Sequence, residues 1–230
     1  MASILPLTSR PGLPRIVPFT TYILFIAVHS WLTANESHAP TWDIRWLYGV
    51  KVALVAIAIG YFWRSYEELR FPTSLTAVDW LISIALGILI FVLWINLDQS
   101  WLTLGTAKGF NATRANGDID IPLAVTRWIG AALIVPVMEE LFWRSFMLRW
   151  LQCPDFMSLK PSKVTLKISL VTAVMFGIEH NLWFAGILAG FAYNWLYIRT
   201  GKLWTPIVAH AITNGMLGVW VVTTGNWQFW

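Results

Sequence analysis

Two adjacent carboxylates lie inside an apolar stretch of this 230-residue chain, Val135-Pro136-Val137-Met138-Glu139-Glu140-Leu141-Phe142-Trp143-Arg144. A carboxylate in hydrocarbon is costly unless it meets a partner or a water-filled cavity, so the pair points to a functional cavity. On a helix the two project about 100° apart, so they cannot share a role. Glu140 and Arg144 are four residues apart and can pair directly, as a support for the site or as a staple between helices. Glu139 is then left to face a water as a general base.

Polar groups recur in later apolar segments. His180 follows Phe176 by four residues, which puts both on one helical face; it can assist a base, hold a water or be a satisfied structural histidine. Glu179 is either a second acid or an interfacial residue. His210 and Asn214 are also four apart, and both can donate to an oxyanion. Their alternative is an interhelical clamp worth about 0.6 kcal/mol. Pro206, one turn before His210, is expected to open its helix. Zinc on Glu139, His180 and His210 is the less favoured reading, because there is no H-E-x-x-H and the histidines lie on different helices. A bare water accounts for the same residues, so no cofactor is expected. His29 and His38 look uninvolved, and phosphate loops, dinucleotide fingerprints and a G-x-S-x-G elbow are absent. Cys153, the one cysteine, excludes an intrachain disulfide.

The elements that must position these groups are membrane helices. The chain is 57% hydrophobic and 12% charged, with a mean hydropathy of +0.60, which predicts an all-α polytopic bundle. Apolar runs fall at 16–34, 46–63, 78–97, 122–149, 165–182, 183–198 and 203–223, giving seven spans. The boundary near Glu179-His180-Asn181 is the least distinct. The fourth run exceeds what a bilayer needs, and 98–121 is the one sizeable loop. Many of the 16 Trp residues flank these runs as interfacial anchors, Trp31, Trp42, Trp46, Trp63, Trp80, Trp101 and Trp204 among them.

Basic residues give the orientation. Arg10, Arg15, Arg64, Arg70, Arg149, Lys160, Lys163, Lys167, Arg199 and Lys202 fall on one side, against Arg45, Lys108 and Arg114 on the other, which predicts an N-terminus inside. The same distribution explains the net charge of +4 without nucleic acid. Counted from the basic ends at about 1.5 Å per residue, Glu139, His180 and His210 lie roughly 16, 20 and 12 Å deep, a common level. The whole of 1–230 reads as one integral membrane domain, with 122–223 carrying the three polar pairs.

Glu139-Glu140-x-x-x-Arg144, Phe176-x-x-x-His180 and His210-x-x-x-Asn214 resemble, in order, the three motifs of the CPBP family of CAAX proteases, bacteriocin-processing and abortive-infection proteins. The resemblance covers about 122–223 and implies an intramembrane glutamate endopeptidase of usually eight helices. It assigns water activation to Glu139 and His180, the oxyanion hole to His210 and Asn214, and support to Glu140, Arg144 and Phe176. It implies a hydrophobic or lipidated peptide substrate cut near its C-terminus or membrane tail. In a bacterial cytoplasmic membrane that substrate class covers peptide maturation, immunity and sorting systems. The competing readings are a non-catalytic immunity or peptide-binding scaffold of the same fold, and a small proton-coupled transporter. The latter would show repeated halves with broken helices, which this sequence lacks.

Overall fold

A computed structural model describes residues 11–34, 41–72, 74–105 and 109–230. Arg10, His38 and Lys108, which entered the sequence reading, lie outside them. The described residues form seven helices: α1 Leu13–Ala34, α2 Leu47–Tyr61, α3 Ala77–Asn96, α4 Ile121–Trp150, α5 Leu166–Ile178, α6 Trp183–Thr200 and α7 Trp204–Thr224. Five of them, all but α5 and α6, are long and apolar enough to cross a membrane, so the chain is a helical membrane bundle. Aliphatic side chains such as Ile57, Leu81 and Leu89 are exposed on α2 and α3, as on faces turned to lipid. α4 is the central element and touches α1, α2, α5, α6 and α7.

Small residues set the close packing. The Gly177 and Gly186 backbones approach so nearly that a Cβ on Gly186 would meet the Gly177 Cα at 2.9 Å, and Gly190 lies against Ala173 in the same way. Two small residues four apart on each helix thus seat α5 on α6 without side chains between them. α3 meets α7 at Gly87, whose carbonyl accepts from Thr213 Oγ1 at 2.9 Å.

Two sequence expectations change. The fifth run breaks earlier than 182: α5 ends at Ile178, and residues 179–182 form the turn into α6. Pro206 opens nothing, because α7 begins at Trp204 and a proline in the first turn removes an N–H that needs no helical partner. The helix that proline does distort is α4. Its backbone widens to π-helical turns at Gly130–Ile134 and Leu141–Met147, on either side of the carboxylate pair. The first of these precedes Pro136, whose ring would collide with an ordinary helical carbonyl four residues back.

At the basic end, a buried polar hub joins α1, the α2–α3 connection and α4. Arg15 Nη2 pairs with Glu68 Oε2 at 2.7 Å, and Arg15 Nε donates to Glu68 Oε1 at 2.8 Å and to Ser145 Oγ at 3.0 Å. Ser145 also bonds Glu68, and Arg149 Nη2 donates to Ser145 Oγ at 3.0 Å. Burial acts to raise the Glu68 carboxyl, but the Arg15 charge and the Ser145 and Arg15 hydrogen bonds outweigh it and hold it below the ordinary carboxylate value. The stabilisation is therefore complete above the unfolded-state pKa and is lost as pH falls through the lower folded-state one. Glu68→Ala, which strands Arg15, is expected to cost about 3–5 kcal/mol. Melting in detergent checks this, with the acid-side loss of Tm smaller in Glu68→Gln than in wild type.

Candidate active site

Glu139 and Glu140 take the separate roles their spacing predicts. Glu140 is fully buried and Arg144 is 1% exposed, and Arg144 Nη1 meets Glu140 Oε1 at 3.0 Å. The guanidinium also lies over the Phe176 and Tyr193 rings, 4.4 and 5.3 Å from their centroids, and reaches the Gly190 carbonyl at 3.4 Å. Glu140 Oε1 accepts a second contact at 2.9 Å from His210 Nδ1. One carboxylate thus ties α4 to α7, and through Arg144 to α6. Glu139, 8% exposed, lines a cavity of about 170 Å³, and its Oε2 has no hydrogen-bond partner.

The same cavity is lined by His180, His210, Asn214 and Phe176, so the three polar pairs converge. His210 Nε2 is 3.9 Å from Glu139 Oε2. His180 arrives differently from the helical placement its spacing suggests. It sits in the turn just beyond the end of α5, with Nδ1 2.8 Å from the Phe176 carbonyl and its ring 4.8 Å from the Phe176 ring. Both histidines therefore present Nδ1 to an oxygen that can only accept, which assigns the proton to Nδ1 and leaves Nε2 with a lone pair in the neutral ring. That state suits His180 as an aid to a base. His210 donates through Nε2 only as an imidazolium, which the Glu140 carboxylate would stabilise.

Asn214 has a structural duty besides any catalytic one. In the π turn before Pro136, the Val135 N–H reaches back five residues to Gly130 O. One residue on, that pattern sets Ala131 O against Pro136, which has no N–H. Asn214 Nδ2 supplies the missing donor at 2.9 Å. Its amide carries two protons, so one N–H remains for the cavity.

Several contributors escaped the sequence reading. Tyr193 stacks on His210 at 5.0 Å and donates to Thr213 Oγ1 at 2.8 Å. Trp94 packs edge-on against His180 at 5.3 Å. Glu179, left open between acid and interface, accepts from Trp143 Nε1 at 3.0 Å and does not line the cavity. Tyr22, Arg127, Phe229 and Trp230 complete the walls. Only Arg127 carried a signal, as a charge in an apolar run; the aromatics look like any others in a membrane protein. Of the expected bystanders, His29 lines a separate cavity beside α2. Among the described residues no three His, Cys, Asp or Glu groups come together as a metal site.

The described residues thus gather a buried glutamate, two histidines and an asparagine around one internal cavity of a helical membrane bundle. Residues 121–216 match the family model described as type II CAAX prenyl endopeptidase Rce1-like. It is also 28% identical over 99 residues to "Putative membrane peptidase YdiL" of Bacillus subtilis, a stretch covering 41% of this chain and 35% of that protein. The match thus spans about a third of the relative's length. No solved structure matches the chain.

Proposed function

We propose that this chain is an intramembrane endopeptidase that hydrolyses a peptide bond near the C-terminus or membrane tail of a hydrophobic or lipid-modified substrate. The observation that carries the reading is Glu139: a buried carboxylate with an unpartnered oxygen, in a cavity it shares with two histidines. Glu139 takes a proton from a water that also donates to His180 Nε2, the resulting hydroxide attacks the scissile carbonyl, and Glu139 returns that proton to the amine nitrogen as the C–N bond breaks. His210, protonated throughout as an imidazolium held by the Glu140 carboxylate, and the remaining Asn214 N–H bind the oxyanion. Phe176 and Arg144 keep these groups in place. No step is routed through a metal.

His210→Ala and Asn214→Ala are each expected to lower kcat by about 10²–10³. Steady-state kinetics in detergent check this; a change confined to KM would assign them to substrate binding instead. Asn214→Ala should also lower Tm, because it leaves Ala131 O without a donor, whereas Asn214→Asp keeps the space and loses the N–H.

We place the protein in a bacterial cytoplasmic membrane with its N-terminus inside. The cavity runs along Glu139, Val135, Ala131 and Arg127 towards the start of α4, away from the basic end at Arg149. On this orientation the Arg127 end of the cavity faces outwards. Single cysteines placed at Phe229 and at Lys163, in a cysteine-free background, test it: a membrane-impermeant maleimide added to intact cells should label only the first.

A further inference from the structure

The cavity beside α2, about 340 Å³ in volume, contains three cations, Arg45, Lys51 and Arg127, and no acidic side chain among its described lining residues. Arg45 is already engaged, by Asp43 at 2.7 Å and by the carbonyls of Asn111 and Thr113 at 3.1 and 2.7 Å. The other two differ. Among the described residues neither Lys51 nor Arg127 has a carboxylate within ion-pair distance, although Lys51 is only 8% exposed and Arg127 Nε is buried without a hydrogen-bond partner. Their surroundings are aromatic. Lys51 Nζ lies 3.8 Å from the centre of the Tyr22 ring and 4.8 Å from that of Tyr48, while Arg127 lies 4.3 Å from Tyr48 and 5.3 Å from Phe110. Cation–π contacts offset only part of the cost of burying two like charges. The arrangement is built rather than incidental: Tyr48, between the two cations, packs where Gly130 of α4 has no side chain, and a Cβ there would meet its hydroxyl at 2.7 Å.

Arg127 belongs to both cavities, so the cationic one adjoins the catalytic one. Arg127, Ala131, Val135 and Glu139 recur every fourth residue and form one wall of the catalytic cavity. Arg127 and Glu139 are separated by about 18 Å of helix. Extended peptide spans at most about 3.3–3.6 Å per residue, so about five residues bridge that distance.

We propose that Lys51 and Arg127 form a clamp for a carboxylate of the substrate peptide, lying within about five residues of the bond presented to Glu139. The clamp rests on the endopeptidase reading for the identity of its ligand and not for its existence. A terminal α-carboxylate and an acidic side chain share the chemistry. The geometry fixes how far from the cut the anion sits, and so acts as a ruler for the released fragment.

The test measures binding, by fluorescence polarisation, to the full chain in detergent micelles. The probes are an N-terminally fluorescein-labelled pentapeptide of leucine and valine as its free acid, its C-terminal amide, and an amide with glutamate as the last residue. Wild type is expected to bind the acid at least about tenfold more tightly than the plain amide. In Lys51→Met and in Arg127→Gln the ratio should fall to within about twofold, and Arg127→Lys should keep most of it. Recovery of tight binding by the glutamate-ended amide would assign the clamp to carboxylates in general, and its failure to the α-carboxylate. Equal binding of acid and amide by wild type, no binding of the acid, or a preference that survives in both neutral variants would overturn the proposal. Binding is read without turnover. A protein that prefers the acid yet cleaves nothing would sink the peptidase reading and leave the clamp standing.

Discussion

Glu139→Gln is expected to lower peptide cleavage by about 10²–10⁴ while leaving the melting temperature close to that of wild type. The two halves of that expectation have one cause. Glu139 Oε2 accepts no hydrogen bond from the protein and His210 Nε2 comes only to 3.9 Å from it, so glutamine, of nearly equal size, forfeits little. What glutamine loses is the capacity to take a proton from water. Glu140, its neighbour, also leaves Oε2 without a partner, but its Oε1 is held by both Arg144 and His210. Glu140→Gln should therefore lower stability and activity together. That difference between the two variants would distinguish a chemical role for Glu139 from a simple ion-pair staple.

Arg144→Ala is expected to cost about 3–5 kcal/mol of stability, as much as Glu68→Ala. The substitution strands Glu140 in a site with no water access and removes the plate that fills the space between Phe176 and Tyr193. Tyr193 in turn stacks on His210, so the loss should propagate to the histidine's orientation. Arg144→Lys is the informative companion. It keeps the charge within reach of Glu140 but not the flat guanidinium face between two rings, so stability should recover only in part. Thermal melts in one detergent, with Glu139→Gln as the unaffected control, read the difference; an unchanged Tm for Arg144→Ala would contradict the pairing.

The convergence of the site was legible in the sequence because membrane burial makes charge conspicuous. Glu139, Glu140, Arg144, His180, His210 and Asn214 stood out against apolar neighbours, and their counted depths agreed. The same criterion applied evenly would have marked Lys51 and Arg127. It failed there because each lies near a helix end, where snorkelling cations are ordinary. The seven runs became seven helices, but their irregularities were hidden. The first π turn of α4 accompanies Pro136, and Asn214 compensates from 83 residues away. Single-helix periodicity carries no trace of such a contact. For the same reason Pro206 was misread: whether a proline opens a helix or begins one depends on where the first turn falls. The end of α5 at Ile178 follows from the Gly177–Gly186 contact, a tertiary constraint that lets the chain reverse inside an apolar run. Trp94, Tyr193 and Trp230 are site residues only because of what they pack against.

The most direct test of the account is to incubate wild type and Glu139→Gln with a panel of hydrophobic C-terminal and membrane-tail peptides in H₂¹⁸O, with and without a chelator, and to follow the products by mass spectrometry. The account predicts cleavage by wild type alone, undiminished by the chelator, with one ¹⁸O in each newly formed carboxylate. Comparable cleavage by Glu139→Gln would contradict it.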